Sequence, residues 1–396
     1  MTVGRRIIML RHSHIKQDGF TLIEMVIVMA IFIVVIIIAA NAFNTVLTRT
    51  KVVSKSEESN IEGVVGLEMF RHDLEQAGFG LFTETDIPLP GYAEAANTPA
   101  ADYNDDSPGE LPRAVVAGDN LSPGDSIVLS GTDYLVIKAT TVGRTQVSQK
   151  WTYINGVGAS KIWGANDFTT DDYVIAVRQN YKNGELRRKL IYNLGTGVFA
   201  VTYKENGSSY PDPFSPPSEA VQYFYYGIDD GQPRAPFNRT DYLVKRTSGT
   251  PENCAPGAGV LYKATMNHIG GAMNNVPILD CVADMQVVFG WNTGDPAGSD
   301  VDTYTNADMT TVSTTLPWTP SLDDPTDIRK HLKLIKIYIL AQDGGYDKNF
   351  TNPNALVDVG VSGETSLTKQ LNLSSTNYQN YRWKLYRIVV KPKNLI

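Results

Sequence analysis

The 396-residue chain has only two cysteines and five histidines. Two cysteines exclude a disulfide-dense scaffold and any four-cysteine metal site. His12, His14, His72, His268 and His331 leave little material for a histidine-built active site. Charged residues are few, at 19%, and sum to a formal −7. That sign disfavours a basic nucleic-acid binder, and 42% hydrophobic residues exclude disorder throughout. The P-loop, HExxH, GxSxG and CxxC motifs are all missing. No phosphate cradle, zinc-protease helix, nucleophile elbow or dithiol pair is signalled, and no cofactor is implied. The length allows two to three average domains, or one large domain with appendages.

One long apolar run stands out. Met25 to Ala40 is unbroken for 16 residues, and from Phe20 the segment is 21 residues with only Thr21 and Glu24 as polar breaks. A helix of that length reaches ~31 Å, the thickness of a bilayer's hydrocarbon core. The chain therefore reads as crossing a membrane once, near its start. Before it, Arg5, Arg6, Arg11 and Lys16 stand against Asp18, a net of +3 over residues 1–19. A positive flank holds that side in the cytoplasm and sends the rest outward. Met9 is an alternative start that leaves the sign unchanged. An ordinary secretory signal fits poorly. The run is too long, Glu24 interrupts its core, and only Ala39-Ala40-Asn41-Ala42 offers a small-residue cleavage site.

Gly19-Phe20-Thr21-Leu22-Ile23-Glu24, followed by this run, resembles the class III signal of type IV pilins and type II secretion pseudopilins. The resemblance implies that a prepilin peptidase cuts after Gly19 and methylates Phe20, and it makes Glu24 the fifth residue of the mature chain. Glu24 supports this on physical grounds. A carboxylate one turn inside an apolar helix costs a few kcal/mol in lipid unless paired. A cleaved chain offers one partner, the α-amino group of Phe20 or of a neighbouring subunit's first residue. Such pairing also sets the axial offset between packed helices. In the bland alternative, Glu24 snorkels to the headgroups.

The helical pattern continues past the membrane run. Asn41 to Ala77 has no proline, and Ile61, Val64, Val65, Leu67, Phe70, Leu74 and Ala77 recur at three- and four-residue steps. Arg71 and Glu75 form an i, i+4 pair on the opposite side, and Gly78-Phe79-Gly80 is a stop signal. Pro88, Pro90, Pro99, Pro108 and Asp102 to Asp106 read as a surface loop within 81–111. Strand signals follow at Ser126–Ser130, Tyr134–Ala139, Tyr173–Val177, Phe199–Lys204, Val221–Tyr226, Val260–Thr265, Cys281–Trp291, Leu334–Leu340 and Arg382–Val390. Alternation places Cys281, Ala283, Met285, Val287 and Phe289 on one face and Asp284 and Gln286 on the other. Ile335, Ile337 and Ile339 share a face. The pattern predicts half-buried antiparallel strands.

The C-terminal segments 259–264, 278–290, 334–342 and 381–393, with Arg71 to Gly80 at the helix end, look like those of PilW-type minor pilins. That family is related to the J-type pseudopilins of type II secretion. Residues 81–250 match nothing. The resemblance implies a low-abundance, non-enzymatic subunit in the initiating or tip complex of a pilus. Its partners would be the prepilin peptidase, other minor pilins, the major pilin, the inner-membrane assembly platform and membrane lipid, with no nucleic acid bound directly. It would sit in the inner membrane with its globular domain periplasmic, and reach the cell surface after assembly.

Cys254 and Cys281 lie in the outward, oxidising part and are expected to form one disulfide; two free thiols are the alternative. Asp295, Asp300 and Asp302, near Asn292, form an oxygen-rich loop that is a weak calcium candidate, with an ordinary acidic hairpin loop as the plainer reading. Tyr223, Phe224, Tyr225 and Tyr226 suggest either a sugar-binding surface or a strand with one aromatic face in the core.

The expected fold is α+β and type IV pilin-like. It divides into a cleaved leader at 1–19, a transmembrane half-helix at 20–40, an amphipathic half at 41–78 and a β-rich globular domain at 79–396. The expected function is that of a type IV pilus minor pilin. The first rival is a J-type pseudopilin. The second is a membrane-anchored periplasmic enzyme or sugar-binding protein.

Overall fold

The computed structural model describes residues 19, 21–84, 91–105, 111–122, 128–164, 167–182, 184–229, 231–309, 318–374 and 378–395. The leader up to residue 18, Phe20, Asp106 and the first half of the Ser126–Ser130 strand lie outside the described residues. The chain forms two compact units, residues 1–55 and 56–396. One continuous helix, α1 (Leu22–Gln76), runs through both. It ends one residue before the expected Ala77, where Gly78 takes a left-handed backbone (φ 81°) that glycine adopts without penalty.

Among the described residues fifteen strands follow: β1 (Val115–Gly118), β2 (Tyr134–Ala139), β3 (Trp151–Asn155), β4 (Tyr173–Lys182), β5 (Glu185–Ile191), β6 (Ala200–Thr202), β7 (Gln222–Asp229), β8 (Asn238–Lys245), β9 (Gly259–Met266), β10 (Met273–Trp291), β11 (Thr303–Asn306), β12 (Leu332–Asp343), β13 (Leu356–Gly360), β14 (Thr368–Asn372) and β15 (Arg382–Val390). A short helix, α2 (Pro325–His331), precedes β12 and is capped by Asp324. An eight-stranded sheet runs β1-β2-β8-β9-β10-β12-β15, with β11 added beside β10. A five-stranded sheet runs β3-β7-β4-β5 with β6 beside β4, and β13 and β14 form a separate hairpin. Among the described residues every ladder is antiparallel.

In the second unit α1 packs on one face of the large sheet. Leu67, Phe70, Leu74 and Ala77 enter a core with Val244, Leu261, Met285, Val287, Ile335, Ile337 and Ile339. The Phe70 and Tyr242 rings stack at 3.7 Å. Asp73, buried beside them, accepts a hydrogen bond from Tyr242 Oη (2.7 Å) and pairs with Lys263 (2.5 Å). A buried carboxylate needs such partners.

The expected helix face is corrected in one respect. Val64 and Val65 are exposed, and Gly63 and Gly66 face the sheet. A Cβ at Gly66 would come 2.3 Å from the Ile278 carbonyl oxygen, so only glycine lets β10 approach this closely. The Arg71–Glu75 pair forms as expected, at 3.5 Å.

β10 bends. Its first half pairs with β9, its second with β12, and the register shifts between Leu279 and Val282 and again between Val282 and Asp284. The bulge breaks the expected alternation. Val282 joins Met285 and Val287 in the helix-side core, while Ala283 faces the other side with Val288. The half-buried expectation also fails for β10 and β12. Their outer face is covered by Val359, Leu367, Leu373, Tyr378 and Tyr381, so Asp284 and Gln286 are buried too.

The reading of 81–111 as a solvated loop is likewise corrected for its described part. Glu94 and Asp105 are buried around Lys138 Nζ, at 2.8 and 2.6 Å. Arg239 holds Glu94 (2.9 Å) and Asp241 (2.8 Å), and Arg113 holds Asp105 (2.6 Å). Burial alone would raise the Asp105 carboxyl, and Lys138 and Arg113 reverse that and leave it lowered. Three cations against three carboxylates make the cluster self-neutralising, which is why an acidic segment can lie inside.

Candidate functional site

The candidate site is built on the first turn of α1. Gly19 is open, with nothing within 4 Å of where a side chain would begin. Thr21 and Glu24 close a capping box: the Thr21 amide donates to Glu24 Oε2 (3.0 Å), Thr21 Oγ1 donates to the same oxygen (3.1 Å), and the Glu24 amide donates back to Thr21 Oγ1 (3.4 Å). The Thr-x-x-Glu pattern was readable from sequence and adds a local role for Glu24 that charge reasoning missed. From Leu22 to Leu47 the helix is long and apolar enough to cross a membrane, and none of it is covered by the protein. Glu24 is the one ionisable residue in that span. Among the described residues its carboxylate meets Thr21 and no cation.

The two cysteines come together. Cys254 and Cys281 form a disulfide with Sγ–Sγ 2.02 Å, joining the loop before β9 to the bulge of β10. Cys281 holds a left-handed backbone (φ 54°), which is uncommon for a residue with a side chain and marks the bulge.

The acidic loop between β10 and β11 spends its acceptors on its own amides. Asp302 Oδ2 accepts from Thr293 N (2.8 Å), Thr293 Oγ1 (3.0 Å) and Gly294 N (3.2 Å). Asp295 Oδ1 accepts from Ala297 N (2.9 Å), and Asp300 is exposed. Among the described residues no three His, Cys, Asp or Glu side chains are placed to share a metal ion. The tyrosine run of β7 splits between two faces. Tyr223 and Tyr225 are buried on one side of the five-stranded sheet and Tyr226 on the other, with Phe224 half-buried beside it.

Comparison with known families agrees with this geometry. Residues 15–40 match the family described as Prokaryotic N-terminal methylation motif. Residues 241–394, which hold most of the large sheet, match that described as Type IV Pilus-assembly protein W. No curated protein and no solved structure matches. The first match, the uncovered apolar helix and the antiparallel domain define a membrane-anchored, type IV pilin-like chain. Within that class residues 241–394 are similar to type IV pilus-assembly protein W. Residues 81–240, with the five-stranded sheet, lie outside both matches.

Proposed function

We propose that this chain is a non-enzymatic subunit that primes assembly of a type IV pilus or sits in its tip complex. One observation carries the reading: a lone carboxylate, Glu24, sits on an otherwise apolar helix that the protein leaves uncovered and has no cation of its own among the described residues. The peptidase removes residues 1–19, and Phe20 becomes the methylated N-terminus. The +3 flank keeps that end cytoplasmic until cleavage, with the globular domain periplasmic. In the inner membrane the 20–40 segment holds the subunit; in the fibre it packs among other pilin helices. There Glu24 pairs with a neighbour's N-terminal ammonium, removing two charges from apolar surroundings. Residues 79–396 contact the other minor pilins and the major pilin above the assembly platform.

The test is the amount of subunit in sheared fibres relative to the membrane. Glu24→Ala should be inserted and cut normally but missing from fibres. Glu24→Asp should be intermediate, because the charge remains with a shorter reach. Glu24→Gln keeps a capping-box acceptor and removes the charge, so it should fail like alanine. Wild-type incorporation of Glu24→Ala overturns the role. Normal incorporation of Glu24→Gln alone would reduce Glu24 to a helix cap.

A further inference from the structure

The five-stranded sheet carries a group of aromatic rings at the open margin of its core. In the β3–β7 ladder Trp151 faces Tyr226, Tyr153 faces Phe224 and Asn155 faces Gln222, so these side chains project from one side. Toward β4 that side is sealed by the Phe82, Val177 and Tyr226 core. Toward β3 it opens. There Trp151, Tyr153, Phe224 and Trp163 form a closed ring of neighbours, with centroids 5.0 Å (Trp151–Trp163), 6.3 Å (Tyr153–Trp163), 6.0 Å (Tyr153–Phe224) and 6.4 Å (Trp151–Phe224) apart. Trp151 is 38% exposed and Trp163 53%. A buried indole gains from the hydrophobic effect; two left half in water on one patch do not, which marks a surface kept for binding.

The patch is held in place. The Lys161 amide donates to the Tyr153 carbonyl (3.1 Å), and Thr152 Oγ1 donates to the Lys161 carbonyl (2.8 Å), so the following segment lies along β3. Asp167 accepts from the amides of Trp163 (2.8 Å) and Gly164 (3.2 Å), which ties down the backbone at those two residues. The rings therefore need little ordering when a ligand arrives.

We infer that this plate, rimmed by the carboxamides of Asn155 and Gln222, binds a neutral oligosaccharide. Hexose rings offer an apolar C–H face for the aromatic rings and a rim of hydroxyls for the amides. Nucleic acid would stack equally well but needs a track of cations. Here, among the described residues, one cation meets the rings: Lys161, 5.7 Å over Trp163.

The full chain, in a detergent without a sugar headgroup, would be screened on an array of neutral hexose and N-acetylhexosamine oligosaccharides. The best binder would then be titrated by tryptophan fluorescence. We expect a saturable emission change, with affinity reduced about tenfold or more by Trp163→Ala or Trp151→Ala. Trp163→Phe should retain part of it. Tyr346→Ala, an exposed aromatic remote from these rings, should bind as wild type. No binding anywhere on the array, or wild-type affinity in Trp163→Ala, overturns the proposal. So does a preference for a single-stranded oligonucleotide. If Trp163→Ala instead releases a co-purifying pilin while sugar binding is absent, the plate is a protein interface.

Discussion

Two glycines three residues apart on α1 predict different outcomes for the same substitution. Alanine in a helix interior is worth about 1 kcal/mol over glycine, so Gly→Ala should stabilise unless the new methyl has no room. At Gly63 the methyl would meet Leu279 Cδ1 at 2.8 Å, the end of a side chain that can rotate away. At Gly66 it would meet the Ile278 carbonyl oxygen at 2.3 Å and the Ile278 carbonyl carbon at 3.0 Å, both backbone. β10 would have to retreat by about 1 Å, and Leu67 and Phe70 would lose contact with the sheet. Overpacking of this kind costs about 1–3 kcal/mol, more when backbone must move. Gly63→Ala should therefore be neutral within about 0.5 kcal/mol. Gly66→Ala should lose about 1–3 kcal/mol even after its propensity gain. Urea denaturation of the full chain in micelles, followed by near-ultraviolet circular dichroism, compares midpoints at constant slope. A Gly66→Ala protein as stable as wild type would refute the claim that this glycine sets the helix–sheet distance.

Gly19→Val should leave the uncut chain in the membrane, because a side chain there obstructs close approach of a peptidase to the backbone; recovery of a chain beginning at Phe20 would contradict this. The non-reduced protein should titrate no free thiol, and reduction should cost about 3–4 kcal/mol for a loop of this size, seen as a lower midpoint. His268 uses both ring nitrogens, Nδ1 accepting from the Arg234 amide (3.3 Å) and Nε2 donating to Asn238 Oδ1 (3.0 Å). Burial pushes its pKa down to about 4. The folded state thus refuses a proton that the unfolded chain takes near pH 6.5. The stability of the neutral ring is complete above that value and is lost as the pH falls toward 4, by at most ~3 kcal/mol. Melting temperatures of wild type and His268→Gln should diverge in slope between pH 7 and 4, and parallel curves would dismiss the assignment.

The membrane-length helix, the motif around Gly19 and Glu24, and strands such as Tyr134–Ala139 and Arg382–Val390 were legible in the chain because each depends on local composition or period. The capping box was equally local. Tertiary structure alone decided the rest. β5 and β8 carry Arg187, Arg188, Lys189, Asn238, Arg239 and Asp241, and no hydrophobic alternation announces them. They become strands by pairing with sheet neighbours, β4 for β5 and β9 for β8, and Arg239 is held by the distant Glu94. Gly63 and Gly66 carry no apolar side chain to mark a helix face and proved to be part of its contact face, since what matters there is the distance to a bulge more than 200 residues away. The bulge itself turns one strand's alternation inside out at Val282, and a period of two cannot foresee an inserted residue. The open aromatic plate follows the same logic. Trp151, Tyr153 and Trp163 are unremarkable in sequence, and only the pairing of β3 with β7, with the Lys161 segment laid along β3, sets them beside Phe224.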